Sequence, residues 1–182
     1  MKKVFVFLAN GFEEIEAISI IDVLRRGGLE VVTVSVGKES KVTGAHNIPV
    51  IADKLFEEVD FSGGSMLVLP GGMPGASNLN AHHELKSLIK EYNNKEKNIA
   101  AICAAPLVLG GLGLLKGKKA TAYPGFESQL IGAQIMETAV VKDGNIITGR
   151  GPGFAADFAL ALVLELQGKE KADEVASAML LR

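Results

Sequence analysis

The sequence predicts an α/β fold in which a mostly parallel sheet is covered by helices on both faces. Three observations lead there. Apolar runs at residues 3–9 and 66–69 lack the polar alternation of a half-exposed strand, and residues 30–36 and 99–102 supply two more strands. Between the strands lie stretches with apolar residues at helical spacing, closed by glycine or asparagine. No repeat, linker or low-complexity tract interrupts the chain, so residues 1–182 read as a single domain. Strand–helix alternation of this kind uses right-handed crossovers, and ligands bind outside the carboxyl ends of its strands.

Residues 3–9 make the first strand, and Asn10-Gly11-Phe12 is a turn. Over residues 13–26, Ile15, Ile18, Ile21 and Leu24 keep helical spacing until Gly27-Gly28 stops the helix. After the strand at 30–36, a polar connection at 37–44 leads to an extended segment at 48–51, and residues 54–59 suit a short helical turn. Met66-Leu67-Val68-Leu69 ends in Pro70-Gly71-Gly72, where the backbone can turn tightly and approach a ligand. A helix is expected over residues 80–92, followed by Asn93-Asn94-Lys95 and the strand that enters Cys103. Residues 120–122 form a further short strand before Tyr123-Pro124-Gly125, and residues 139–141 and 146–148 flank Asp143-Gly144 as a hairpin. Gly149-Arg150-Gly151-Pro152-Gly153 opens a last apolar helix over residues 154–166, and Gly168 precedes a short terminal one.

With 182 residues, 48% of them hydrophobic, the chain has material for a sizeable core. Its 19 basic and 21 acidic residues leave a net charge of -2 with no clustering, which argues against nucleic acid and anionic membranes. Small molecules or proteins are the expected partners. One cysteine cannot form an intramolecular disulfide, and with three histidines it gives no metal-site spacing, so no metal or other cofactor and a reducing, cytoplasmic setting are expected. Residues 4–9, behind Met1-Lys2-Lys3, are too short for a signal peptide. Residues 99–115 carry no charge, but Pro106, Gly110, Gly111 and Gly113 interrupt them, and they read as core rather than a membrane span.

Chemistry concentrates at Ile99-Ala100-Ala101-Ile102-Cys103-Ala104-Ala105-Pro106, which holds the only cysteine of the sequence. The pattern is a buried strand turning into a helix, and N–H groups at the helix start favour a thiolate at the corner. Core packing is the other reading of a lone cysteine in an apolar run. In a parallel sheet, residues 10–16, residues 70–72 and Cys103 converge on one cleft. Glu16, one turn into the first helix, is the acid/base candidate, and its carboxyl group tends to stay protonated beside a thiolate. The backbone N–H groups of Gly72 and Ala104, with Gly71 alongside, are the oxyanion and substrate-binding candidates. Glu13 and Glu14 suit helix capping and the helix dipole. His46, His82 and His83 read as surface residues, so a glutamate-assisted cysteine is favoured over a Cys–His pair. Arg26 and Arg150 are candidate anion-binding residues, with solvated surface roles as the alternative.

Four strings, Asn10-Gly11-Phe12-Glu13-Glu14-Ile15-Glu16, Leu69-Pro70-Gly71-Gly72, Ala100-Ala101-Ile102-Cys103-Ala104-Ala105-Pro106 and Gly151-Pro152-Gly153, together resemble the signature set of the ThiJ/PfpI family. The nearest branch is that of the Parkinson-disease-associated deglycase protein, and the match runs in order over nearly the whole chain. The resemblance implies a flavodoxin-like three-layer sandwich, a nucleophile elbow at Cys103, a protonated Glu16, oxyanion contacts from Gly72 and Ala104, and a homodimer. It also implies a range of activities: glutathione-independent conversion of methylglyoxal to lactate, deglycation, peptidase activity in one branch, and redox-sensing or chaperone-like roles. The peptidase branch has histidine directly after the cysteine, where this chain has Ala104, and some members of the Parkinson-associated branch have histidine where it has Tyr123. Related glutamine amidotransferases need a histidine downstream of the nucleophile, and none follows His83. The expected function is a cofactor-independent cysteine enzyme acting on reactive dicarbonyls or their adducts, of glyoxalase or deglycase type. A redox-sensing or chaperone-like stress protein working through oxidation of Cys103 is the alternative, and an intracellular cysteine peptidase ranks third. Thiamin precursor synthesis, an older family label, finds no phosphate-cradling loop here.

Overall fold

The computed structural model describes residues 1–181. In chain order the elements are β1 (Lys3–Leu8), α1 (Glu14–Arg26), β2 (Glu30–Ser35), β3 (Lys41–Thr43), β4 (Pro49–Ile51), β5 (Lys54–Leu55), β6 (Met66–Leu69), α2 (Gly75–Ala81), α3 (His83–Asn94), β7 (Asn98–Ile102), α4 (Pro106–Gly111), β8 (Lys119–Ala120), β9 (Gln134–Ile135), β10 (Val140–Asp143), β11 (Ile146–Gly149), α5 (Ala155–Gln167) and α6 (Lys169–Ala178). Seven strands form one sheet in the order β10-β11-β7-β6-β1-β2-β5, parallel except for the β10–β11 pair. This is a flavodoxin-like α/β arrangement. Among the described residues no helix is long and apolar enough to cross a membrane.

Each central strand feeds two cores, which is why its sequence shows no polar alternation. Val4, Val6 and Leu8 of β1, Met66 and Val68 of β6, and Ala100 and Ile102 of β7 join the cluster containing Ile20 of α1, Phe158 of α5 and Val175 of α6. Their neighbours Phe5, Phe7, Leu67, Leu69, Ile99 and Ala101 join Leu79 of α2, Ile89 of α3 and Val108 of α4 on the other face. Fully burying such a side chain stabilises the fold by about 1.5–3 kcal/mol, so both faces are needed to hold the sheet.

Several elements differ from expectation. The isoleucine spacing marks α1 correctly as a helix but not its inner face: Ala17, Ile20, Ile21 and Leu24 are buried, whereas Ile15 and Ile18 are 59% and 46% exposed. Steps of three residues fall short of a 3.6-residue turn, so the series from Ile15 to Leu24 drifts halfway around the helix. The helix expected over 80–92 is two helices broken at His82, whose backbone is extended and whose Nδ1 accepts the Leu85 N–H at 3.1 Å, capping α3. The polar connection at 37–44 contains β3, paired antiparallel with β4. The helical turn expected at 54–59 is the edge strand β5 followed by a 3-10 turn at Phe56–Glu58. The strand expected at 120–122 is shorter and stays outside the main sheet: β8 pairs with β9, and the next N–H, of Thr121, goes to Thr148 Oγ1 at 3.0 Å.

Candidate active site

Strands β1, β6 and β7 are arranged so that the loops leaving their carboxyl ends meet at one edge of the sheet. The loop after β1 is docked on the one after β6, with Glu13 N–H donating to Gly71 O at 2.9 Å and Gly75 N–H to Gly11 O at 3.1 Å. This seats the first turn of α1 over the strand ends. Glu16 is fully buried there, and its Oε2 accepts the Gly71 N–H at 2.8 Å.

Cys103 follows β7 directly. Its N–H donates to Gly149 O at 2.9 Å, which keeps the corner attached to β11. Its φ of 64° lies in the left-handed region, a strain of about 1–3 kcal/mol for a residue with a side chain. The corner is a strand-to-helix elbow. Gly71 lies between thiol and carboxyl: a Cβ there would sit 2.6 Å from Cys103 Cβ and 2.7 Å from Glu16 Oε2, so glycine is what lets the two approach.

Burial pushes the Glu16 carboxyl from its ordinary 4.5 up to about 7, against hydrogen bonds from Cys103 and Gly71. Burial also pushes the Cys103 thiol up, from 9.0 to about 12, aided by the Glu16 charge and hydrogen bond. The N–H groups of Gly72 and Ala104 donate to the sulfur and work the other way. The N–H donors favour the thiolate as expected, but they do not prevail. Helix α4 spans only six residues, and burial beside a carboxylate outweighs two N–H donors. Thiol and carboxyl titrate as a pair, which releases one proton near neutrality and holds the second far above it. Glu16 Oε1 is buried without a hydrogen-bond partner among the described residues.

The structure thus gathers Cys103, Glu16, Gly71, Gly72 and Ala104. The Gly71 N–H is committed to Glu16, so Gly71 serves the pair rather than a substrate oxygen. Arg26 is elsewhere, in the last turn of α1 and paired with Asp22 at 2.7 Å. Arg150 borders a groove of about 260 Å³ with Tyr123, Pro124, Pro152 and Phe154, and its side chain has no hydrogen-bond or ion-pair partner among the described residues. His82 caps α3 and rests on Phe56, and His83 is exposed at the start of α3.

Glu14 and His46 have a role that sequence reasoning missed. Glu14 Oε1 accepts N–H groups of His46 at 2.7 Å and Ile48 at 3.4 Å, and its Oε2 lies 2.9 Å from His46 Nδ1. It clamps the β3–β4 hairpin onto α1, while Glu13, at the N-cap, makes no side-chain cap bond. Burial opposes the Glu14 charge, but the hydrogen bonds from His46 and its neighbours prevail and hold the carboxyl below its ordinary range. The same hydrogen bond, with the charges of Glu13 and Glu14, raises His46. A separation of 32 residues leaves no local signal of this contact. Ligand atoms of Glu13, Glu14 and His46 lie within 4.8 Å of one another, but the Glu14 oxygens are engaged and the positive end of α1 opposes a cation.

Fold and site together define an α/β protein with a nucleophile-elbow cysteine set against a buried carboxyl group. The chain belongs to the DJ-1/PfpI family, whose sequence profile matches residues 2–165. It is 44% identical over 184 residues to DJ-1 homolog A of Arabidopsis thaliana, a match that takes in 100% of this chain and 47% of that protein. The chain therefore spans about half the length of that relative. A Pyrococcus abyssi protein named a deglycase is 33% identical over 153 residues, covering 83% of this chain and 91% of that one. Among solved structures, Toxoplasma gondii DJ-1, described as oxidized, superposes with a TM-score of 0.95 at 42% identity, covering 99% of this chain and 98% of that one.

Proposed function

We propose that the chain is a cofactor-independent cysteine enzyme acting on reactive dicarbonyls or the adducts they form. The carrying observation is the Cys103–Glu16 pair: a sulfur in a strained corner beside a buried carboxyl group that keeps its proton to about pH 7. Once the pair has lost one proton, the form with charge on sulfur and proton on Glu16 is held by the Gly72 and Ala104 N–H groups. The thiolate attacks the aldehyde carbon of methylglyoxal. A C–S bond forms, the carbonyl electron pair moves to oxygen, and the Glu16 proton follows it to give a hemithioacetal. Glu16, now a carboxylate, takes the proton from that carbon to give an enediolate and delivers it to the neighbouring carbon, while the hydroxyl proton passes from the first oxygen to the second, leaving the lactyl thioester. Water then cleaves the thioester to lactate and restores the thiol. Arg150, whose side chain has no partner among the described residues, is the candidate cation for the anionic product. The deglycase name of the Pyrococcus relative supports extending this chemistry to adducts. Lactate production from methylglyoxal tests the reading: Cys103→Ser and Glu16→Gln each lose about 10²-fold or more, and equal rates in all three proteins contradict it.

The reading places the protein in the cytoplasm as a homodimer that leaves membranes and nucleic acid alone. Its interface would be Ile15 and Ile18 of α1 with Ile48 and Ile51 of the adjoining hairpin, which are 59%, 46%, 56% and 69% exposed. A second reading, redox sensing, has support in the same donors. Glu16 and the Gly72 and Ala104 N–H groups would hydrogen-bond a Cys103 sulfinate, and the similar Toxoplasma structure is described as oxidized. Mass spectrometry after mild peroxide tests it: a Cys103 that resists oxidation until the protein unfolds is incompatible with sensing. Peptide hydrolysis is not proposed, since Ala104 stands where the peptidase branch has histidine.

A further inference from the structure

If the dicarbonyl reading holds, the surface beside Cys103 specifies which dicarbonyls the site takes. Among the large apolar side chains that the described residues leave exposed, two are aromatic, Tyr123 at 46% and Phe154 at 39%, and both line the groove that Arg150 borders. The groove adjoins the elbow through the backbone: the Tyr123 N–H donates to Cys103 O at 2.9 Å, and Gly149, whose carbonyl accepts the Cys103 N–H at 2.9 Å, leads directly into Arg150 and Gly151. The Tyr123 ring lies along Gly151, where a Cβ would come within 3.0 Å of its Cδ2, so the glycine lets the ring settle there. Phe154 closes the 3-10 turn Pro152–Phe154, its N–H donating to Gly151 O at 2.9 Å. Pro124 and Pro152 complete walls that are mostly apolar. The volume is about 260 Å³, whereas a cavity of about 150 Å³ is enough to take benzene. The methyl group of methylglyoxal would leave most of that space unused.

We propose that Tyr123 and Phe154 form a specificity subsite for a planar aromatic substituent, so that aryl α-oxoaldehydes are preferred to methylglyoxal. An aromatic ring seated between two aromatic walls gains edge or offset contacts beyond its buried area, and a fitted apolar pocket discriminates by about 10-fold or more. The test compares kcat/KM for phenylglyoxal and methylglyoxal in wild type, Phe154→Ala, Tyr123→Ala and Tyr123→Phe. The expected preference for phenylglyoxal in wild type is about tenfold or more. Either alanine variant loses most of that preference, chiefly through KM, and Tyr123→Phe retains it because the ring is kept. A wild type without the preference, or a ratio unchanged in both alanine variants, overturns the subsite. A readout that needs no turnover separates this proposal from the activity it rests on: the rate of Cys103 modification by 2-bromoacetophenone relative to iodoacetamide. If wild type turns over neither oxoaldehyde yet shows a phenyl preference in modification that Phe154→Ala removes, the subsite stands and the dicarbonyl reading falls. Turnover without phenyl preference has the reverse meaning, and absence of both removes both.

Discussion

Replacing Glu16 by glutamine should remove a loss of stability that wild type suffers as pH rises through neutrality, while it removes the acid/base. The carboxyl group is fully buried, and burial moves its titration from 4.5 to about 7. A group that holds its proton to higher pH in the fold than in the unfolded chain favours the fold while protonated. That contribution is complete below the unfolded value and is lost as pH rises through the folded one. At about 1.36 kcal/mol per pH unit, the loss comes to about 3 kcal/mol, a large share of the ~5–15 kcal/mol that holds a domain together. Glutamine keeps an oxygen for the Gly71 N–H, now accepted at 2.8 Å, and does not ionise. The assay is urea unfolding of wild type and Glu16→Gln between about pH 4 and pH 8, with the difference in unfolding free energy read at each pH. Groups away from Glu16 cancel in that difference, which is expected to move by about 3 kcal/mol in favour of the variant as pH rises. Parallel stability profiles would refute the reasoning.

Gly71→Ala drives a Cβ to 2.6 Å from Cys103 Cβ and 2.9 Å from Ile102 O; thermal unfolding is expected to show about 1–3 kcal/mol of lost stability, together with lost turnover, and wild-type behaviour in both contradicts the steric argument. The His46 ring should titrate above its ordinary 6.5 in an NMR pH series and fall back in Glu14→Gln, since Glu14 is the first cause of its shift. Because that titration is raised, the His46–Glu14 pairing supports the hairpin below the ordinary value and fades as pH climbs through the folded one; identical titrations in the two proteins would remove the clamp. Ile18→Asp or Ile51→Asp puts a charge on the exposed isoleucine face and is expected to give a monomer by sedimentation, with an unchanged dimer placing the interface elsewhere.

Strands β1, β6 and β7 are legible in the sequence because a strand feeding two cores must be apolar at successive positions, as in Val4 to Leu8. The meeting of Glu16, Gly71, Gly72 and Cys103 is legible for a related reason: loops far apart in sequence share one edge once neighbouring strands run parallel. Other features depend on tertiary balance and leave no local trace. The direction in which the Cys103 thiol moves is set by burial and a neighbouring charge against two N–H donors, and the elbow motif is the same whichever prevails. The exposed Ile15–Ile18 stripe, the break at His82 and the Glu14 clamp likewise follow from what packs or bonds against each residue, and spacing does not record it.

The pairing of Cys103 with Glu16 carries the functional account, and pH-dependent alkylation of Cys103 by iodoacetamide tests it most directly. In wild type the rate should rise with an inflection near pH 7, as the pair loses its first proton, then level off and climb again only toward about 12. In Glu16→Gln the inflection near neutrality should vanish. A single rise near the free-thiol value of about 8.5 in both proteins would mean that sulfur and carboxyl do not share a proton, and would contradict the account.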